Sequence, residues 1–244
     1  MIKGKPLFRR RLKTFWRETL HATLGIPYAG LYGIPQTLLK HLRRDEPIHL
    51  VDVGAYNGDF TFGLACYCGL HAGVMVEPLP HKAAKLRERF PEADYRIFEC
   101  ALADKSGVTD LRVNDDEATA SLLPLRRDLP ELNSLLVGKE RVLSCAQRTL
   151  DSIVAEANVS TIDLLKIDVQ GVEHLVLAGG RETLKRTKRV WTECSFKPLY
   201  SGSSTFSDLY AALTGCGFQL VELSEACRSV TGELLQADAF FVKG

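Results

Sequence analysis

The chain of 244 residues predicts an α/β fold built on a doubly wound, mostly parallel sheet, and three features carry that expectation. Short apolar runs rich in β-branched residues lie at 48–53, 73–77, 162–168 and 189–194. Each is too short for a buried helix and suits a strand covered on both faces. The runs alternate with segments of helical spacing at 60–70 and 80–90, and with a helix opened by Glu173 and His174 and broken by Gly179-Gly180. Such strand–helix alternation argues for right-handed crossovers in one sheet. Two further runs, 218–223 and 237–242, close the chain as an antiparallel pair at one side. With a third strand at 95–102 the sheet has seven strands. Segments 108–113 and 141–148 form an inserted β-hairpin around a long excursion.

The remaining elements follow from local signals. Gly25-Ile-Pro27 and Gly33-Ile-Pro35 punctuate the approach to a short helix over 35–44. Thr149 is placed to cap a helix beginning at Leu150 and Asp151. A helix over 205–214 ends at Gly215 and Gly217. With 45% apolar residues the chain can bury a sizeable core. The expected organisation is a helical N-terminal segment, 1–46, packed on one domain, 47–244.

Charge and composition exclude several classes. A formal net charge of +1 gives no whole-surface field for nucleic acid, and no basic stripe with interleaved aromatics lies beyond the first helix. No apolar run reaches the roughly 18 residues of a membrane span, and the basic N-terminus lacks the apolar centre of a secretory signal. The seven cysteines are odd in number and scattered, and Cys66-Tyr-Cys68 is not a zinc spacing. Reduced thiols and a cytoplasmic setting are expected. Phe8, Leu12, Phe15 and Trp16 share a helical face opposite Lys3, Lys5, Arg9, Arg10, Arg11, Lys13 and Arg17. The favoured reading is an amphipathic helix with a solvated basic face. The second is weak contact with the anionic inner membrane surface.

The chemistry concentrates at the carboxyl edge of the first strand. Asp52-Val-Gly54-Ala-Tyr56-Asn57-Gly58 is a glycine turn between that strand and a helix, a place where free N–H groups face a ligand. A pyrophosphate cofactor asks for glycine at position 56, where this chain has tyrosine. A nucleoside without phosphates fits better, with Glu77 at the end of the second strand to accept both ribose hydroxyls and Cys100-Ala101-Leu102 beside the base. S-adenosylmethionine meets those requirements. Segment 118–122, within the excursion 114–139, is expected to face substrate. Lys166 and Asp168 lie on one side of the strand 162–168, and a lysine there needs an acidic partner, Glu193 being the expected one. No third ligand accompanies Asp168 and Glu193, so no metal is expected.

These motifs resemble the FkbM-type family of S-adenosylmethionine-dependent methyltransferases. The matching stretches are 52–58 with Thr61, Glu77-Pro78, 101–107, 148–151, Leu164-Leu-Lys166-Ile-Asp168-Val-Gln170-Gly171 with Glu173, Glu193, and 232–241. The resemblance implies a class I methyltransferase fold and O-methylation of a sugar, glycolipid, glycan or polyketide-type hydroxyl. The cofactor-binding set is then Asp52, Gly54, Tyr56, Asn57, Gly58, Thr61, Glu77, Pro78, Ala101 and Asp168. Asp168 is the expected base, Lys166 and Glu193 assist it, and His174 is a second base candidate. The chain departs from the family at Gln170, usually Glu, and at Tyr56, usually Asn. Alternatives are a non-catalytic protein that binds the same cofactor as a partner, and a nicotinamide oxidoreductase, which the glycine spacing disfavours.

Overall fold

The computed structural model describes residues 34–44, 46–129, 139–224, 227–229 and 231–244. The amphipathic helix expected over 1–17 lies outside them. Helix α1 spans Gln36–Leu39, shorter than the expected 35–44. Pro35 opens it, since a residue without an N–H is tolerated at a helix start. Ile34, Leu38 and Leu42 bury themselves against Leu50, Leu64, Trp191 and Phe240, so this segment seals one face of the sheet.

Strand β1 (Ile48–Val53) leads into α2 (Asp59–Tyr67), β2 (Leu70–Val76), α3 (Pro80–Arg89) and β3 (Tyr95–Phe98). Then follow β4 (Ala101–Leu102), β5 (Gly107–Val113), β6 (Arg141–Arg148) and α4 (Leu150–Glu156). The second half is β7 (Leu164–Ile167), α5 (Glu173–Ala178), α6 (Arg181–Lys185), β8 (Arg189–Ser195) and α7 (Phe206–Gly215), closed by β9 (Phe218–Leu223), β10 (Cys227–Arg228) and β11 (Leu234–Lys243). The strands lie in the order β3-β2-β1-β7-β8-β11-β9, with the two-residue β10 also on β11. From β3 to β8 all neighbours are parallel, whereas β11 runs antiparallel to β8 and β9. The doubly wound, seven-strand expectation holds, with β10 as a short addition.

The expected strand 95–102 is in fact two. Phe98 gives its carbonyl to Glu77 N at 3.0 Å, and the chain then leaves the main sheet. Ala101 and Leu102 pair instead with Gln147 and Arg148 of β6, and β6 pairs antiparallel with β5 as the inserted hairpin. Two pairing partners at different levels break the run.

Strand order reverses on either side of β1, which places a topological switch point at its carboxyl end. The registers there are aligned: Val53 sits opposite Val76 and Ile167, and Ile167 opposite Thr192. One residue further along each strand come Gly54, Glu77, Asp168 and Glu193. Asp238 is the partner of Glu193 across β11. Five adjacent strands therefore present Glu77, Gly54, Asp168, Glu193 and Asp238 in one row along the sheet edge.

Candidate active site

The glycine turn after β1 is shaped by contacts that leave no room for larger residues. Gly54 has φ +77°, and a β-carbon on it would lie 1.8 Å from the Asp168 carbonyl oxygen. Gly58, at φ +74°, caps α2, and a β-carbon there would meet Leu86 and Phe90 at 2.7 Å. Tyr56 between them also takes positive φ, 50°, a conformation that costs a non-glycine residue energy and needs support. Glu77 supplies it: one carboxylate oxygen accepts Tyr56 N at 2.8 Å, the other Leu79 N at 2.9 Å. Burial raises the Glu77 pKa above the usual carboxylate value, and the two N–H donors oppose that rise.

Beneath the turn lies a buried pin. Thr61 Oγ1 donates to Asp52 Oδ2 at 2.7 Å, while Asp52 Oδ1 meets Lys166 Nζ at 3.3 Å. Lys166 also donates to the Gly54 carbonyl at 2.6 Å and lies 3.5 Å from Asp168 Oδ2. Burial works against its charge, but Asp52 and Asp168 outweigh it and the lysine pKa rises. The expected partner, Glu193, is thus replaced by Asp52. The register explains why, because Asp52 and Lys166 are direct partners on β1 and β7, whereas on β8, the other neighbour of β7, Trp191 lies opposite Lys166 and Glu193 comes two residues later.

Above the turn is a cavity of about 210 Å³. Of the expected residues, Gly54, Tyr56, Glu77, Pro78, Ala101 and Asp168 line it, and so do Cys100 and Leu102. Asp52 and Thr61 are wholly buried below it and hold the turn instead. Asn57 points outward to accept from Lys82 Nζ at 3.0 Å. Gly58 acts through its backbone at the start of α2. Lys166 and Glu193 stand just behind Asp168, outside the lining. His174 is also absent from the lining, and burial lowers its pKa.

The excursion after β5 roofs the cavity, and Ala118, Ala120, Ser121 and Leu122 of the expected substrate-facing segment line it. It folds back on β5 through two backbone bonds between Arg112 and Ser121. Ser121 Oγ donates to the Gln170 carbonyl at 2.6 Å. On its other side Glu117 meets His81 at 2.9 Å, Lys82 at 3.7 Å and Arg141 at 3.2 Å. Lys82 also lies 3.7 Å from the centre of the Tyr56 ring. Lys82 and Glu117 carry no sequence signal that separates them from ordinary surface residues.

The acids behind Asp168 share one electrostatic environment. Burial, then the charge of Asp168, raises Glu193 well above the carboxylate range. The same causes bring Asp238 up to about 6. Glu173, buried at the start of α5, rises to about 7 although it accepts from Gly171 N and Val169 N. Among the described residues no three His, Cys, Asp or Glu side chains are arranged to hold a metal ion.

A doubly wound sheet with this strand order, a glycine turn at its switch point and an acid ending β2 is that of a class I methyltransferase fold. The chain belongs to the methyltransferase FkbM domain family, whose model matches residues 52–220. S-adenosylmethionine is the cofactor of this enzyme class. The chain is 33% identical over 208 residues to the 2-O-methyltransferase NoeI of Sinorhizobium fredii (strain NBRC 101917 / NGR234), covering 83% of this chain and 84% of that protein. It is 26% identical over 238 residues to the 31-O-demethyl-FK506 methyltransferase FkbM of Streptomyces tacrolimicus, covering 84% and 90%. Among solved structures, methyltransferase FkbM from Methylobacillus flagellatus KT superposes with a TM-score of 0.53 at 15% identity. That superposition covers 82% of this chain and 44% of the length of the other. No helix among the described residues is long and apolar enough to cross a membrane.

The residues present fit the cofactor. Gly54 lets the turn close against the Asp168 carbonyl at the cavity edge, Glu77 offers acceptor lone pairs toward the cavity, and Cys100 to Leu102 give an apolar wall for a base.

Proposed function

We propose that the protein transfers a methyl group to a hydroxyl of a sugar, glycolipid, glycan or polyketide-type acceptor, with Asp168 as the base. Bound S-adenosylmethionine supplies an electrophilic methyl group on a sulfonium. The chain's own task is to orient the acceptor hydroxyl and take its proton, since positioning and a base within reach accelerate such a displacement. The observation that carries this reading is the Asp168 carboxylate, which lines the cavity beside the glycine turn and is fixed by Lys166 and Gln170 on its two oxygens. Lys166 holds the carboxylate in place and keeps its charge balanced. Burial and the charge of Asp168 raise the Glu193 pKa, which disfavours a second negative charge next to it. Both curated relatives bear the names of O-methyltransferases, which supports oxygen as the accepting atom.

The test is tritium transfer from methyl-labelled S-adenosylmethionine to a set of monosaccharide methyl glycosides, run with the wild type and Asp168→Asn. The variant should lose at least about 100-fold in kcat, the lower range for a positioned base, with S-adenosylhomocysteine affinity intact. Unchanged turnover would remove Asp168 from the mechanism. Cofactor binding without transfer to any acceptor would favour a non-catalytic partner role.

A further inference from the structure

We infer that Gln170 is a positioning residue for methyl transfer, whose side-chain amide sets the placement of the Asp168 carboxylate and joins it to the roof of the cavity. This inference rests on the assignment of Asp168 as the base. Gln170 follows β7 at positive φ, 58°, and every polar atom of its side chain is engaged. Its Nε2 donates to Asp168 Oδ1 at 2.8 Å and lies 3.2 Å from Glu193 Oε2 as a second acceptor. Its Oε1 lies 3.1 Å from the Tyr200 hydroxyl, which stands at the same distance from the Thr119 carbonyl. Its own carbonyl accepts from Ser121 at 2.6 Å.

The orientation of the amide follows from its neighbours. Turned over, Oε1 would face the Asp168 carboxylate, acceptor against acceptor, so Nε2 lies on that side. The two amide protons separate Asp168 from Glu193, and the oxygen side joins Tyr200 and the roof segment. A displaced roof at Thr119 or Ser121 therefore acts on the residue that holds Asp168. The other ionisable groups around it are Lys166 on β7, Glu173 on α5 and Asp238 on β11, all of which act on Asp168 or Glu193.

What Asp168 needs from position 170 is a hydrogen-bond donor, and this can be tested by making the donor titrate. A glutamate at 170 donates only when protonated. Gln170→Glu should therefore approach wild-type turnover at pH 6 and lose it at pH 9, where an amide keeps its protons. In the glycoside transfer assay the ratio of variant to wild-type kcat is expected to fall by about tenfold or more over that range. The KM for S-adenosylmethionine and the melting temperature at pH 6 should stay near the wild-type values. A ratio flat with pH would overturn the inference while leaving Asp168 as the base. A wild type that methylates none of the glycosides would remove both. If Gln170→Glu does not fold, Gln170→Asn keeps the amide and suits the left-handed backbone but is one methylene short of both acids. Its kcat should fall about tenfold with KM for the cofactor unchanged, and a wild-type kcat would overturn the inference.

Discussion

Asp52 and Lys166 are register partners on adjacent parallel strands, and their charges meet at 3.3 Å in the buried layer beneath the cavity. The pair fixes the strand ends from which the glycine turn and Asp168 depart. Removing one partner of a buried ion pair leaves an uncompensated charge and typically costs about 3–5 kcal/mol. Lys166→Met should lower the unfolding free energy by about that amount. The double variant Asp52→Asn/Lys166→Met should cost less than the sum of the two single changes. Additive losses in urea unfolding would show that the two side chains do not act as a unit.

Gly54→Ala should be among the most damaging single-methyl additions. The new carbon would overlap the Asp168 carbonyl oxygen, an atom of the backbone that cannot rotate away. Displacement of β1 from the end of β7 together with left-handed strain should cost about 3 kcal/mol or more. Urea unfolding measures the loss, and a variant within about 0.5 kcal/mol of wild type, the usual surface range, would mean that the turn relaxes freely.

Much of this arrangement was legible in the sequence. The β1 run, the glycines at 54 and 58, Glu77 and Asp168 report directly on backbone geometry and strand ends. Residues of that kind are constrained by where the chain can turn. The partner of Lys166 was not legible, because it depends on which strand neighbours β7 and in what register, and β1 precedes β7 by more than a hundred residues. The break within 95–102 was hidden for a similar reason: no glycine or proline marks it, and only pairing with β6 separates the two strands. Gln170 was visible as a residue, but its bonds to Ser121, Tyr200 and Glu193 join four separate parts of the chain.

Glu173 predicts a pH dependence of stability. Its folded pKa, about 7, lies above the ordinary glutamate value because burial disfavours the charge. The folded state therefore binds a proton that the unfolded state has released. The stabilisation is fully present below about pH 4.3 and is lost as pH rises through about 7, to a total of about 4 kcal/mol. Glu173→Gln keeps an acceptor for Gly171 N and Val169 N and does not titrate. Its stability should fall less steeply than that of the wild type between pH 4.5 and pH 8, and parallel curves in urea unfolding would contradict the assignment.

The roof should control cofactor exchange. The segment around Ser121 lines the cavity beside the glycine turn, so a ligand leaving that cavity passes it. Ser121→Ala removes its bond to the Gln170 carbonyl, worth about 0.5–1.5 kcal/mol. Stopped-flow dissociation of S-adenosylhomocysteine should then quicken by about two- to tenfold. An unchanged rate would mean that this contact does not hold the roof.

The most direct measurement is isothermal titration of S-adenosylhomocysteine into the wild type and Glu77→Ala, with NADH as a control. Glu77 holds the turn at Tyr56 and Leu79 and faces the cavity, so its loss removes both the shape of the site and a charged acceptor. Micromolar binding by the wild type, weakened by at least about 100-fold in the variant and absent for NADH, is the expected result. No binding by the wild type, or equal binding by Glu77→Ala, would contradict the assignment of this cavity as the cofactor site.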